Sequence, residues 1–180
     1  FALENCLNDS QEIDIKSLFS KLNDIHLEFR PNHQVLELYL NGKNINKEIR
    51  ELRVSNNVSI LAKQPEIRDF LLDFQRNLAT KGGVIMDGRD IGTVILPNAD
   101  FKFFVTASPV ERARRRHLQL QNAGTEVSYE EVFQNLITRD KIDSERDVAP
   151  LKQADDAILI DNTFLNKEET IALILSYIEK

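Results

Sequence analysis

Tryptophan is absent from this 180-residue chain and cysteine occurs once. The lone Cys6 cannot close an internal disulfide, which fits a reducing cytosol, and as a small apolar side chain it needs no chemistry of its own. No apolar run approaches the length of a membrane helix, so no span is expected, and no secretory leader is visible. Positive charge is also in deficit: 29 acidic residues stand against 23 basic ones, a formal net charge of −6. That balance argues against broad nucleic-acid binding, so any anionic ligand must be met by local clusters of arginine. His26, His33 and His117 are scattered without metal-ligand spacing. No Ser-His-Asp arrangement can be argued, and there are no repeats or low-complexity tracts. What is present, 42% hydrophobic residues, supports the core of a single domain with room for an insertion.

The chain opens on Phe1 rather than Met, and Phe1 to Leu7 read as the later turns of a helix. We therefore expect it to be the remainder of a longer protein. Asp14 to Leu22 carries Ile15, Leu18, Phe19 and Leu22 at helical spacing. Ile25 to Phe29 alternates like a strand, and Arg30-Pro31-Asn32-His33 signals a turn. Val35 to Leu40 follows as a second strand. Asn41-Gly42 is a two-residue hairpin signal, predicting a short third strand near Lys43 to Ile45. Helical pattern then runs from Lys47 to Ala62, and Pro65 opens another helix to about Leu78 with Ile67, Phe70, Leu71 and Phe74 on its apolar face.

The second half alternates strands and helices, which predicts a covered parallel sheet. Strands are expected at Val84 to Met86, Phe101 to Val105 and Ala157 to Ile160. Capping boxes at Ser108/Glu111 and Ser128/Glu131 start two helices, and Gly124 can end the first. Asn166 with Glu169 starts the closing one.

Chemistry concentrates where the apolar run Val84-Ile85-Met86 stops at Asp87-Gly88-Arg89-Asp90-Ile91-Gly92-Thr93. Ligands of α/β proteins bind beyond the carboxyl ends of strands. A fixed cation, two anions and Gly-permitted turns there suit an anionic, hydrogen-bonding ligand. An ordinary polar turn would read the same in isolation. Asp87 also follows its strand as a Walker-B-type aspartate does, so it could hold a water on Mg²⁺.

Arginines form further groups. Arg112, Arg115 and Arg116 share a helix face at i, i+3, i+4, with Arg114 beside them. Their mutual repulsion would be relieved by a polyphosphate through bidentate contacts; a solvated cationic face is the plainer alternative. Arg139, Asp143 and Arg146, at i, i+4, i+7, would line one side of a helix and could hold a phosphate and a sugar hydroxyl together. A surface salt-bridge ladder gives the same pattern. The apolar Val148-Ala149-Pro150-Leu151 should pack inward and hold this helix end near the core. Ser59 and Arg68 flank Pro65 and can face one pocket.

Taken together, these pieces resemble the bacterial cytidylate kinases, the (d)CMP kinases of the nucleoside monophosphate kinase family. The resemblance rests on Ser59, Pro65-x-x-Arg68, Asp87-Gly88-Arg89-Asp90-x-Gly92-Thr93-Val94, Glu111-Arg112-Ala113-x-Arg115-Arg116-x-Leu118-Gln119-Leu120-Gln121, and Arg139-Asp140-x-x-Asp143-x-x-Arg146-x-Val148-Ala149-Pro150-Leu151. They occur in the family's order and spacing over essentially the whole chain.

The resemblance implies an α/β, P-loop NMP-kinase-like three-layer fold with a parallel sheet, plus a small antiparallel β insertion near 25–45. It implies one kinase domain over 1–180, a nucleoside-monophosphate-binding subdomain at 10–80, core at 81–107 and 147–180, and a lid region with flanking helices at 108–146. Ser59, Arg68 and Asp90 match positions that read the cytosine edge, and Asp143 matches the sugar-hydroxyl ligand. Arg89, Arg139 and Arg146 match the arginines around the CMP phosphate and the transferring group. Arg112, Arg115 and Arg116 lie where the lid closes over ATP, Arg115 being the first choice among them.

The implied activity is ATP-dependent phosphorylation of CMP or dCMP with Mg²⁺, in a cytoplasmic monomer that binds neither nucleic acid nor membrane. One departure is large: the family's phosphate loop, G-x-x-x-x-G-K-[ST], does not occur in these 180 residues. We expect that loop and its central strand before Phe1, and the chain as written to be inactive alone. The alternatives are a nucleotide-binding relative that truly lacks the loop, a polyanion-binding interaction protein, and a related kinase for UMP or AMP.

Overall fold

The computed structural model describes residues 1–33 and 35–179. They fall into two compact units, 1–73 and 74–180.

In the first unit a short helix α1 (Ala2–Asn5) precedes α2 (Ile15–Ser20). Asp14 starts α2 by accepting from the backbone N–H groups of Lys16 and Ser17. Ala2, Cys6 and Leu18 form the buried core, with Phe1, Ile13, Leu22, Ile25, Leu61 and Ile67 packed on it. Cys6 is a buried free thiol, in keeping with its reading as a small apolar side chain.

An antiparallel sheet follows, β1 (Leu27–Asn32), β2 (Val35–Leu40) and β3 (Lys43–Asn44), in that order. The hairpin between β2 and β3 puts both Asn41 (φ 50) and Gly42 (φ 81) in the left-handed region. That geometry matches the twist of the flanking strands, and Asn and Gly tolerate it best. β1 runs further than expected. Pro31 pairs with Leu36 and Asn32 with Val35, so the reversal begins at His33 (φ 53) and not at Arg30. Proline keeps its carbonyl and loses only a donor, which an edge strand tolerates.

The helix predicted from Lys47 is interrupted. A single 3₁₀ turn (Glu48–Arg50) ends at Glu51 in an extended conformation, and α3 (Leu52–Ala62) starts beyond it. The next helix, α4 (Pro65–Ala79), opens on its proline as predicted.

In the second unit β4 (Phe103–Thr106) and β5 (Ile158–Asp161) pair in parallel, Phe103 opposite Ile158 through Thr106 opposite Asp161. Between them lie α5 (Pro109–Asn122) and α6 (Tyr129–Glu145), and α7 (Lys167–Ile178) closes the unit. The capping boxes of α6 and α7 form in both directions. At α5 only half forms: Ser108 accepts from the Glu111 N–H, but the Glu111 carboxylate turns to Arg114 and Arg115.

The strand expected at Val84 to Met86 is not made. These residues belong to no sheet among the described residues, and Val84 and Ile85 are exposed. An apolar run specifies a strand only where a neighbour supplies the ladder hydrogen bonds. Among the described residues no helix is long and apolar enough to cross a membrane.

Candidate functional site

Immediately after Asp90 the chain makes one turn of π-helix, Ile91–Ile95, a rare form that concentrates at functional sites. The loop before it is tight. A Cβ on Gly88 would meet the Ile91 side chain at 2.9 Å, so glycine there allows the backbone to press on the turn. Asp90 emerges buried from this junction.

Its partners come from the end of α6. Arg89 Nε donates to Asp143 Oδ2 at 3.1 Å, across 54 residues of sequence. Arg146 lies 3.7 Å from Asp143 Oδ1 through one terminal nitrogen and 3.8 Å from Asp90 Oδ1 through the other. At those lengths the contacts are ion pairs rather than hydrogen bonds. Asp143 and Arg146 side chains are only 4% and 3% exposed. Burying such charges is tolerable only in company.

Arg146 stands one residue beyond α6, in an extended conformation (φ −69, ψ 143). The predicted three-residue helical face is therefore two helical residues plus the first residue of the exit. That exit is held by hydrogen bonds: Arg146 Nε donates to the Ala149 carbonyl at 2.7 Å, and the Leu151 N–H to the Asp143 carbonyl at 2.7 Å. Of the apolar segment expected to pack inward, Val148 is exposed, which corrects that expectation at this residue, while Ala149, Pro150 and Leu151 are half-buried; Ala149 takes a left-handed φ of 49.

Arg139 completes the group from inside α6. Burial is the main influence lowering its pKa from the usual guanidinium value. The like charges of Arg89 and Arg116 add to it, against the opposing pull of Asp143 and Asp140. Among the described residues its buried Nε has no hydrogen-bond partner. Three guanidiniums, of Arg89, Arg139 and Arg146, thus meet two carboxylates, of Asp90 and Asp143, so one positive charge is left over. An oxyanion with several acceptors would satisfy both that excess and the orphaned Nε.

The α5 arginines behave differently. Arg112 Nε donates to the Ala107 carbonyl at 3.0 Å and its NH1 pairs with Asp140 at 2.6 Å. Arg115 donates to Glu111, to the Asn162 side chain, and to the carbonyls of Asn162, Thr163 and Leu165. That nearly exhausts the donors of a guanidinium. Arg114 is bidentate to Glu111, whose carboxyl is held at about 2, chiefly by the Arg114 hydrogen bond. Arg116 donates to Gln119 at 2.7 Å.

In the first unit Ser59 is buried on α3, and Arg68 donates to the Ala62 carbonyl at 3.4 Å. An apolar cavity of about 160 Å³ also lies in that unit, lined by Phe1, Leu40, Ile49, Val54, Val58 and Leu61 among others. Ser59 and Arg68 do not line it, and its walls do not suit a phosphate.

Asp87 is exposed at the end of the apolar run. No cluster of three or more potential ligand side chains forms among the described residues. A single carboxylate does fit Mg²⁺, which keeps several waters and takes its remaining ligands from substrate phosphates.

Two partners escaped the sequence reading. Arg76, in the last turn of α4, donates to the carbonyls of Val94 and Ile95, and Asn162 receives Arg115. For Arg76 the only signal was a basic residue near a helix end.

The family model described as cytidylate kinase matches residues 1–180. A cytidylate kinase of Flavobacterium johnsoniae is 46% identical over 180 residues, covering 99% of this chain and 78% of that protein. One from an Exiguobacterium species is 46% identical over 167 residues, 93% of this chain and 75% of the relative. One from Carboxydothermus hydrogenoformans is 44% identical over 176 residues, 98% and 78% respectively.

Proposed function

The chain belongs to the cytidylate kinase family and is a phosphotransferase; from that premise we propose that it transfers the γ-phosphoryl group of ATP to CMP and to dCMP. The observation that carries this reading is the group of Arg89, Asp90, Arg139, Asp143 and Arg146, of which Asp90, Asp143 and Arg146 are buried and Arg89 reaches solvent, with its surplus positive charge and, among the described residues, no hydrogen-bond partner for the buried Nε of Arg139.

In this reading a CMP phosphate oxygen attacks the γ-phosphorus in line, the bond to the β,γ-bridging oxygen breaks, and ADP leaves with that electron pair. Such a transfer needs little covalent help, so positioning and charge neutralisation supply the rate. Arg89, Arg139 and Arg146 would offset the charge spread over the transferring oxygens. Asp143, fixed by Arg89, would accept from a sugar hydroxyl. Asp90 would accept from the cytosine exocyclic amine, and a uracil carbonyl in its place would set acceptor against acceptor.

Ser59 and Arg68 are proposed as further contacts to the pyrimidine, on their match to the family pattern. Arg116, close enough to depress Arg139, is the α5 arginine best placed for the donor phosphates. Arg112 and Arg115 would act there by holding that helix, closing over ATP and excluding water. Magnesium, when bound with ATP, supplies further neutralisation of phosphate charge, and Asp87 would hold one of its waters.

The test pairs calorimetric titration of CMP and UMP with a coupled ATP/CMP assay of the natural gene product. Selective CMP binding together with CMP-dependent ADP formation is expected. Equal binding of the two nucleotides, or none, overturns the reading.

A further inference from the structure

We propose that Arg76 is a positioning residue for Asp90, setting how sharply the site tells cytosine from uracil. This rests on the reading of Asp90 as the acceptor for the base amine.

The Asp90 carbonyl is the first acceptor of the π-turn. It receives the N–H groups of Val94 at 2.9 Å and Ile95 at 3.3 Å, and the Thr93 hydroxyl at 3.3 Å. The Leu96 N–H closes the next bond, onto the Ile91 carbonyl at 2.7 Å. A π-turn is wider than an α-turn and is kept only where surrounding contacts over-determine it.

Arg76 supplies such a contact at the opposite end. Its NH2 donates to the Val94 carbonyl at 3.0 Å and its Nε to the Ile95 carbonyl at 3.2 Å. The two prongs of one rigid guanidinium therefore grip the two residues whose N–H groups reach back to Asp90. A cation also lies favourably against the carbonyl end of a helical turn. Of the turn's own side chains only Thr93 is polar.

Movement of the turn has few outlets other than Asp90. Ile95 is buried at the far end, and on the near side Gly88 packs directly against Ile91. A shift of the order of 1 Å at the turn would spoil the aim of a carboxylate meant for one hydrogen bond, and a misplacement of that size can cost about a hundredfold.

The test compares Arg76→Ala, Arg76→Gln and Arg76→Lys in the natural gene product, assayed well below the melting temperature. Expected are a rise of roughly tenfold or more in KM for CMP and a similar fall in the ratio of kcat/KM for CMP over UMP. KM for ATP should stay near its original value, and lysine should recover most of the loss. Arg76→Gln keeps a donor without the charge and carries the test if the alanine variant fails to fold. Wild-type KM for CMP and wild-type discrimination in the variants, with only the melting temperature lowered, overturns the proposal. A parent protein that does not distinguish CMP from UMP overturns both this proposal and the reading beneath it.

Discussion

Two groups of arginines in the second unit look alike in sequence and differ in kind once folded. On α5, Arg115 spreads its donors over Glu111, Asn162 and three carbonyls, and Arg114 sits bidentate on Glu111. At the end of α6, Arg146 makes its ion pairs at 3.7 and 3.8 Å, and among the described residues the buried Nε of Arg139 has no hydrogen-bond partner. A guanidinium saturated by short internal bonds is part of the scaffold. A group of guanidiniums that outnumbers its carboxylates, with bonding capacity in hand, is prepared for a ligand. The distinction lies in satisfaction, not in charge density.

The strongest challenge to that contrast is Arg146→Ala. It leaves the carboxylates of Asp90 and Asp143 buried with less compensation, so stability should fall by about 3–5 kcal/mol, and kcat by at least roughly tenfold. Denaturant unfolding and steady-state turnover measure the two separately. Unchanged turnover would remove Arg146 from the reacting centre.

Arg115→Ala should act on the fold. Losing its fan of donors strands several carbonyls of the Asn162–Leu165 loop, at a cost of roughly 1–3 kcal/mol, a loss of several degrees in melting temperature. A variant of unaltered stability with a much weakened KM for ATP would move Arg115 to the ligand-binding group.

Smaller still is the pairing of Arg112 with Asp140. A double-mutant cycle with Arg112→Ala and Asp140→Ala should show a coupling of about 0.5–1 kcal/mol, at the low end for neighbours in contact because both side chains are partly solvated. Additive effects would mean that the bridge does not tie α5 to α6.

The weakest effect concerns acid. The Glu111 carboxyl is depressed to about 2 from 4.5 in the folded state. Its contribution is therefore present above the unfolded value and lost as pH falls from about 4.5 towards 2. Glu111→Gln should remove that portion of the acid-induced loss of stability. An identical stability–pH curve for the variant would show that the α5 ion pairs contribute nothing measurable.

Much of the scaffold was legible because its signals are local. Asn41-Gly42, Ser128 with Glu131, Asn166 with Glu169 and Pro65 each specify a turn or a helix start through neighbours within four residues, and each forms as read. What failed depended on partners far along the chain. Val84 to Met86 has the composition of a strand and, among the described residues, no ladder to join. Glu111 was read as closing a capping box, and two arginines outbid the backbone for it. In the candidate site, Arg89, Asp90, Arg139, Asp143 and Arg146 were named from motif and spacing, but the bond between Arg89 and Asp143 spans 54 residues that no periodicity connects. Arg76 carried no motif, because its use is set by where two carbonyls arrive after folding.

The left-handed backbone at Ala149 has a consequence for how variation at this position is read. Its carbonyl takes the hydrogen bond from Arg146, and its φ of 49 admits glycine freely, alanine at some cost, and valine or isoleucine hardly at all. A mutational scan across 147–151 should therefore find position 149 among the least forgiving, on account of its backbone and not of its methyl group. Such intolerance would report the shape of the main chain behind the charges, and a library built to retune substrate choice should leave that position as alanine or glycine.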